Sequence, residues 1–163
     1  RFNAAAFEAR QLQRERVDLL QLMEAQVDAQ RLQWRANHLV VQVEGEHVVT
    51  RVDPTKVGTA LANLLSNAIR FSPPNGTIVL RLQRQQHLVL IDVIDEGPGI
   101  AEADRDRVFE PFYRGQRQPE GAVRGTGIGL SIVHEYIAAH GGKMTLLAGG
   151  PGAHFRIELP HVD

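Results

Sequence analysis

Asp53–Ser72 reads DPTKVGTALANLLSNAIRFS, and the rest of the chain is best understood outward from it. Asp53 followed by Pro54 is a helix start. The carboxylate accepts from free first-turn amides, and proline fits there because its missing N–H has no helical partner anyway. Val57, Leu61, Leu64, Leu65 and Ala68 then recur at i, i+4, i+7, i+8 and i+11, one apolar stripe that needs a core to lie on. Ser72-Pro73-Pro74-Asn75-Gly76 stops the helix.

The same helix carries a polar line, Asn63, Asn67 and Arg70, at i, i+4 and i+7. Asparagine is a mediocre helix-interior residue because its amide competes for backbone hydrogen bonds. Two in line admit two readings. One is a solvated face. The other is a pair of amide oxygens aimed into a cleft, where they ligate a hard cation such as Mg2+ and Arg70, one turn on, meets phosphate.

Downstream, Thr77–Gln83 and His87–Ile94 read as strands of a hairpin joined by Arg84-Gln85-Gln86. Asp95-Glu96-Gly97-Pro98-Gly99-Ile100 follows the second strand. It reads either as a plain Asp-Gly turn or as a fixed carboxylate acceptor beside glycines that let a ligand approach the backbone. A short helix is expected over Glu102–Phe109, then a polar Gly/Gln/Arg-rich stretch from Arg114 to Arg124. Gly125-Thr126-Gly127-Ile128-Gly129-Leu130 opens a last helix over Gly127–His140. Glycines at a helix N-terminus leave amide donors free for an anion. Leu130, Val133 and Ile137 form the buried face of this helix, and Gly141-Gly142 ends it. Lys143–Ala148 and His154–Leu159 close the chain as a hairpin.

Upstream, His38–Val43 and His47–Val52 read as a hairpin around Glu44-Gly45-Glu46, preceded by a helix over Val17–Trp34. Residues 1–16 are Ala/Gln/Arg-rich and read as a frayed helix end and linker. The order α-ββ-α-ββ-α-α-ββ predicts an α+β fold: a two-layer α/β sandwich, its mixed sheet mostly antiparallel, with helices on one face.

The 163 residues, 43% hydrophobic, suffice for one domain with a real core. Eighteen Lys+Arg against nineteen Asp+Glu give a net charge of −1, which argues against a nucleic-acid partner. Zero cysteines exclude a disulfide framework and thiol catalysis. No apolar run approaches the ~20 residues a membrane helix needs. The first residue is Arg1, not Met, so the sequence reads as a segment of something longer. The glycine boxes match neither common nucleotide signature. Position 130 is Leu where the dinucleotide pattern needs Gly, and Gly142-Lys143 is followed by Met144 where a P-loop needs Ser or Thr.

Four boxes in order carry a resemblance. They are Asn63–Ser72, Asp95–Gly99, Phe109-Glu110-Pro111-Phe112-Tyr113-Arg114 and Gly125–Leu130. Together they closely resemble the N box, first glycine box, F box and second glycine box of the ATP-binding catalytic domain of sensor histidine kinases, in the wider ATPase class of gyrase, Hsp90 and MutL. The resemblance covers Val17 to Leu159 and implies the Bergerat ATP-binding fold.

It also implies a site. Asp95 accepts from the adenine amino group, with Phe71 and Ile100 walling the base. Asn67 and Asn63 hold Mg2+ on the triphosphate, and Arg70 contacts phosphate, an arginine where the family more often has lysine. Gly97, Gly99, Gly125, Thr126, Gly127, Gly129 and Leu130 line the cleft. Residues from about 110 to 125 form an ATP lid, with Arg114, Arg117 and Arg124 toward the phosphates and Phe109, Phe112 and Tyr113 as anchors. The expected domains are 1–16, the end of a dimerisation helix and linker, and 17–163, the catalytic domain.

Phosphoryl transfer in this family needs a histidine on a separate dimeric helical hairpin. None of the seven histidines fits. His134-Glu135 has the right dipeptide in the wrong helix and reads as an exposed pair; His140 reads as a helix C-terminal residue near the dipole. The chain therefore has no nucleophile of its own and is expected to bind ATP without phosphorylating itself. Implied partners are its own dimerisation and histidine-phosphotransfer domain and a response regulator, with no nucleic acid. The fragment is expected to be monomeric, the full-length protein a homodimer and the domain cytoplasmic, in an inner-membrane sensor. Two other readings stay open: an anti-sigma-type serine kinase, and a module whose ATP state only gates docking.

Overall fold

A computed structural model describes residues 11–97, 128–147 and 152–163. Its elements are β1 (Glu15–Asp18), α1 (Leu19–Ala29), α2 (Arg31–Ala36), β2 (Val40–Gly45), β3 (Val49–Val52), α3 (Pro54–Phe71), β4 (Thr77–Gln85), β5 (Leu88–Ile94), α4 (Ile128–Ala139), β6 (Lys143–Leu146) and β7 (His154–Pro160). Five strands form one sheet in the order β2-β4-β5-β7-β6, and β1 and β3 form a separate pair. The expected sandwich, with helices on one side of a mixed sheet, is what the chain builds. The short helix expected over 102–109 lies outside the described residues.

α3 is the element the sequence specified most fully. Asp53 caps it by accepting from the Lys56 amide at 3.1 Å, an interaction worth about 1 kcal/mol in helices generally. Every member of its apolar stripe is buried. The β4–β5 and β6–β7 hairpins are antiparallel as expected, with Leu82 opposite Ile91 and Met144 opposite Ile157.

The upstream hairpin is not formed. β2 pairs in parallel with β4, Val40 opposite Thr77, while β3 pairs antiparallel with β1, Glu15 opposite Val52. A parallel pair needs a crossover, and β3 and α3 supply it. The Arg51 amide also donates to Val162 O at 3.0 Å, so the C-terminal segment flanks β3.

The helix expected over Val17–Trp34 is also redrawn. Residues 15–18 are extended, and Asp18 caps α1 by accepting from Gln21 N at 3.1 Å. A break at Gln30 separates α1 from α2. The Gln30 side chain is engaged elsewhere: Nε2 donates to Ala62 O, and Oε1 accepts from Ser66 Oγ, each at 3.0 Å, tying the break to α3.

Strand alternation sorts the sheet's two faces. Ile78 and Leu80 of β4, Val89, Ile91 and Val93 of β5, and Phe155, Ile157 and Leu159 of β7 join Leu19 and Met23, Leu61, Leu64 and Leu65, and Val133 and Ile137 in one core. On the opposite face a polar rung crosses all five strands, Glu44, Arg81, Asp92, Arg156 and Thr145 in register. Asp92 is fully buried there. It accepts from Arg156 Nε at 2.8 Å and Nη2 at 3.3 Å, and its Oδ1 lies 2.9 Å from His154 Nε2.

Candidate nucleotide site

The last turns of α3 and the loop after β5 meet at one end of the sheet. Asn63, Asn67, Arg70 and Phe71 are all half-buried. Arg70 Nη1 donates to Asn67 Oδ1 at 3.2 Å, and its guanidinium lies 5.6 Å from the centre of the Phe71 ring. The arginine and the second asparagine of the polar line therefore touch. A phosphate drawing Arg70 away would release an amide oxygen suited to a hard cation.

Asp95 follows β5 directly and is held by backbone on two sides. Its amide donates to Ala153 O at 3.0 Å. Its Oδ1 accepts from Gly97 N at 2.9 Å and from Ala153 N at 3.0 Å. One carboxylate oxygen thus takes both amides, and Oδ2 has no hydrogen-bond partner among the described residues. Burial pushes the Asp95 carboxyl above its ordinary value of 3.8, and the amides of Ala153 and Gly97 oppose that shift. A fixed acceptor with one unused oxygen, partly shielded from water, is suited to an exocyclic amino group.

Glycine is required at two positions around it. A Cβ on Gly97 would lie 2.5 Å from Phe71 O, so the end of α3 and the first glycine loop are in backbone contact. A Cβ on Gly152 would lie 1.9 Å from Asp95 O. Thr77 N donates to Glu96 Oε1 at 2.6 Å, stapling the same loop to the start of β4. Gly97 contacts both Asp95 and Phe71, two of the residues named from the sequence. Gly152 and Ala153, which clamp Asp95 from the β7 side, were not foreseen; the glycine-rich turn before β7 was the only signal.

At the start of α4, the space a Cβ on Gly129 would occupy is open among the described residues, its chain neighbours and own helix backbone aside. Leu130 packs against the hydrophobic core. Gly99, Ile100, Arg114, Arg124, Gly125, Thr126 and Gly127 lie outside the described residues, as do the lid over 110–125, Arg117 and the aromatics Phe109, Phe112 and Tyr113. No group of three or more His, Cys, Asp or Glu that could hold a metal occurs among the described residues. The expected Mg2+ contacts are instead the neutral oxygens of Asn63 and Asn67.

One histidine reading changes and one gains detail. His140 sits at the end of α4 as expected, and is buried there. Its Nε2 accepts from Asp53 N at 3.0 Å while Nδ1 lies 2.7 Å from Tyr136 O, which fixes a neutral ring. Burial, first, lowers its pKa below 6.5. His134 and Glu135 are half-buried in α4, not an exposed pair.

With this geometry in place, comparison with known proteins is specific. Residues 52–163 match the family described as histidine kinase-, DNA gyrase B- and HSP90-like ATPases. The chain belongs to this family. Its relatives are sensor histidine kinases. The sensor histidine kinase GlrK of Escherichia coli (strain K12) is 37% identical over 147 residues, covering 90% of this chain and 31% of that protein. The chain thus spans about a third of the length of the curated relatives it matches. Among solved structures, the nucleotide-free catalytic domain of histidine kinase ThkA superposes with a TM-score of 0.83 at 27% identity, covering 93% of this chain and 97% of that one. Full-length ShkA in complex with AMPPNP superposes with a TM-score of 0.81 at 26% identity, over 93% of this chain and 32% of that one. The chain is accordingly a catalytic domain of the histidine kinase ATPase family. Among the described residues no helix is long and apolar enough to cross a membrane.

Proposed function

We propose that this domain binds ATP with Mg2+ and transfers the γ-phosphoryl group to a histidine carried on a dimerisation domain outside these 163 residues. The observation that carries the reading is Asp95: its Oδ1 is satisfied by two backbone amides and its Oδ2 has no partner among the described residues, in a loop that meets the end of α3, the helix bearing Asn63, Asn67 and Arg70, at Phe71. Asp95 Oδ2 accepts from the adenine amino group, and Phe71 flanks the base. Arg70 turns from Asn67 to phosphate. Asn67 and Asn63 are the residues that would hold Mg2+, which when bound neutralises triphosphate charge. The acceptor imidazole attacks the γ-phosphorus, the bond to the bridging β-oxygen breaks, and ADP leaves as phosphohistidine forms. Positioning and charge neutralisation account for the catalysis, with no nucleophile supplied by this chain.

The assignment extends to the segments outside the described residues. Gly99, Ile100, Gly125, Thr126 and Gly127 complete the cleft, and Arg114 and Arg124 act from a lid over residues 110–125. The residues before β1 end a dimerisation helix and linker, and the catalytic domain starts with β1. In the full-length protein the domain works in a homodimer on the cytoplasmic side of an inner-membrane sensor, and passes phosphate to a response regulator.

The test mixes this chain with a separately produced histidine-bearing helical hairpin, labelled ATP and Mg2+. Acid-labile label on the hairpin, and none on this chain alone, is the expected result. ATP binding without transfer would support a docking module instead, and acid-stable label on a protein substrate a serine kinase.

A further inference from the structure

Residues 11–14 reach β1 by crossing the ends of two helices. Gln13 N donates to Asp53 Oδ2 at 3.0 Å, beside the Oδ1 that caps α3. Lys56 Nζ donates to Gln11 O, and the same ammonium lies 5.8 Å from the centre of the Tyr136 ring in α4. Arg14 Nη1 donates to Arg51 O at 3.1 Å. His140, at the end of α4, accepts from Asp53 N at 3.0 Å and so locks the two helix ends beneath this crossing.

These contacts are polar and shallow. Gln11, Gln13 and Arg14 are exposed, whereas Val17, a few residues on, packs against the core. Two of the three hydrogen bonds are exposed and the third, to Asp53, is part-buried, and Leu12 is half-buried without joining the core; a segment held this way opens at lower cost than a core strand. β1, paired with β3, does not share that weakness.

The crossing also occupies a particular place. α3 begins at Asp53 and ends at Asn67, Arg70 and Phe71; α4 ends at His140 and begins at the second glycine box. At about 1.5 Å per residue, the far end of α3 is about 25 Å away. Val57, Leu61 and Leu64 of α3 and Val133 and Ile137 of α4 belong to one packed core, so the two helices join the crossing to the nucleotide end as rigid elements.

We propose that residues 11–14 form a releasable strap whose docking on Asp53 and Lys56 is positively coupled to nucleotide binding at the opposite ends of α3 and α4. Each event acts on one end of the same rigid helix pair, so a placement of the pair that favours one event favours the other, and the coupling is reciprocal. This rests on the nucleotide reading given above, and it makes the segment leading into the domain a sensor of its nucleotide state.

Hydrogen exchange of the peptide covering residues 11–18, measured on the whole chain with and without ATP and Mg2+, tests it in one direction. ATP affinity tests the other. Asp53→Asn keeps Oδ1 as the cap for Lys56 N but turns the Gln13 acceptor into a donor; Lys56→Met removes the ammonium from Gln11 O. Nucleotide should slow exchange in the wild-type strap. Each variant should speed exchange without nucleotide and weaken ATP binding by about fivefold, the low end of ordinary allosteric coupling. Circular dichroism and Tm identify any variant that has simply lost its fold, and the wild-type exchange comparison stands without either variant. Nucleotide binding that leaves strap exchange unchanged, or a folded Asp53→Asn protein with a freed strap and unaltered ATP affinity, overturns the coupling alone. If the wild-type chain binds no ATP, the nucleotide reading fails and the coupling with it.

Discussion

Asp53 and His140, 87 positions apart in sequence, are joined by a hydrogen bond of 3.0 Å from the Asp53 amide to the His140 imidazole, which locks the start of α3 to the end of α4. The bond exists only while Nε2 has a lone pair to offer. Burial, together with the charges of Arg14 and Lys56, lowers the His140 pKa; the hydrogen bond to Tyr136 O and the charge of Asp53 act against that. The folded pKa lies below the unfolded value of 6.5, so the unfolded chain takes up the proton first as pH falls. The stabilisation is complete above 6.5 and is lost as pH drops from there toward the folded value. Urea midpoints between pH 8 and pH 5 should fall for wild type and fall less for His140→Gln, whose amide oxygen can accept from Asp53 without titrating. Parallel pH profiles for the two proteins would contradict this account.

Asp95→Asn separates binding from stability. Oδ1 already satisfies the amides of Gly97 and Ala153, so the new NH2 must take the place of Oδ2 and meet an incoming amino group donor to donor. A lost hydrogen bond to a charged acceptor is worth about 1.5–3 kcal/mol, so ATP affinity should fall by at least about tenfold. Stability should move the other way. A carboxyl whose folded pKa is raised destabilises the fold at pH values above it, and the amide carries no charge to bury. Calorimetric titration and a urea curve at pH 7 read the two effects; unchanged ATP affinity would remove Asp95 from the site.

The clamp around Asp95 predicts an order between two glycine variants. A methyl on Gly152 meets the Asp95 carbonyl oxygen at 1.9 Å, and one on Gly97 meets the Phe71 carbonyl oxygen at 2.5 Å. Both obstacles are backbone and cannot rotate away. Overpacking of this kind costs about 1–3 kcal/mol, with Gly152→Ala the worse of the two. Because Gly152 displaces Asp95 itself, its ATP affinity should suffer along with its Tm. Equal Tm values for both variants and wild type would show that the loop yields freely.

What the sequence showed and what it hid divide along the range of the interactions. α3 was legible because its cap, stripe and stop are local, and Asn63, Asn67 and Arg70 stood out as a polar line on an otherwise Leu/Ala helix. The β4–β5 hairpin was legible because the turn joins the strands that pair. β2 and β3 carry the same β-branched signature around Glu44-Gly45-Glu46, yet their partners are β4 and β1. Nothing in a short run of valines distinguishes a neighbour across a turn from one beyond a crossover helix. The site divides in the same way. Asp95 and its glycines announced themselves, whereas the clamp from Ala153 reaches Asp95 from 58 positions away, and the acceptor role of His140 depends on how two helices cross.

The polar rung on the sheet's outer face supplies the last prediction, which turns on an asymmetry of burial. The Asp92 side chain is fully buried, while that of Arg156 keeps 28% of its surface in water. Removing Asp92 leaves a guanidinium that can turn to solvent. Removing Arg156 leaves a buried carboxylate with the His154 imidazole as its remaining side-chain partner among the described residues. Breaking a buried pair from the side that strands its charge costs about 3–5 kcal/mol, whereas replacing both members with apolar groups is often neutral. Arg156→Leu should therefore lower stability by about 3 kcal/mol, Asp92→Leu by less, and the double variant should recover much of the Arg156→Leu loss. The three urea curves form a double-mutant cycle whose coupling term isolates the pair. If the double variant is as unstable as the sum of the single ones, Asp92 and Arg156 act independently and the rung contributes by packing alone.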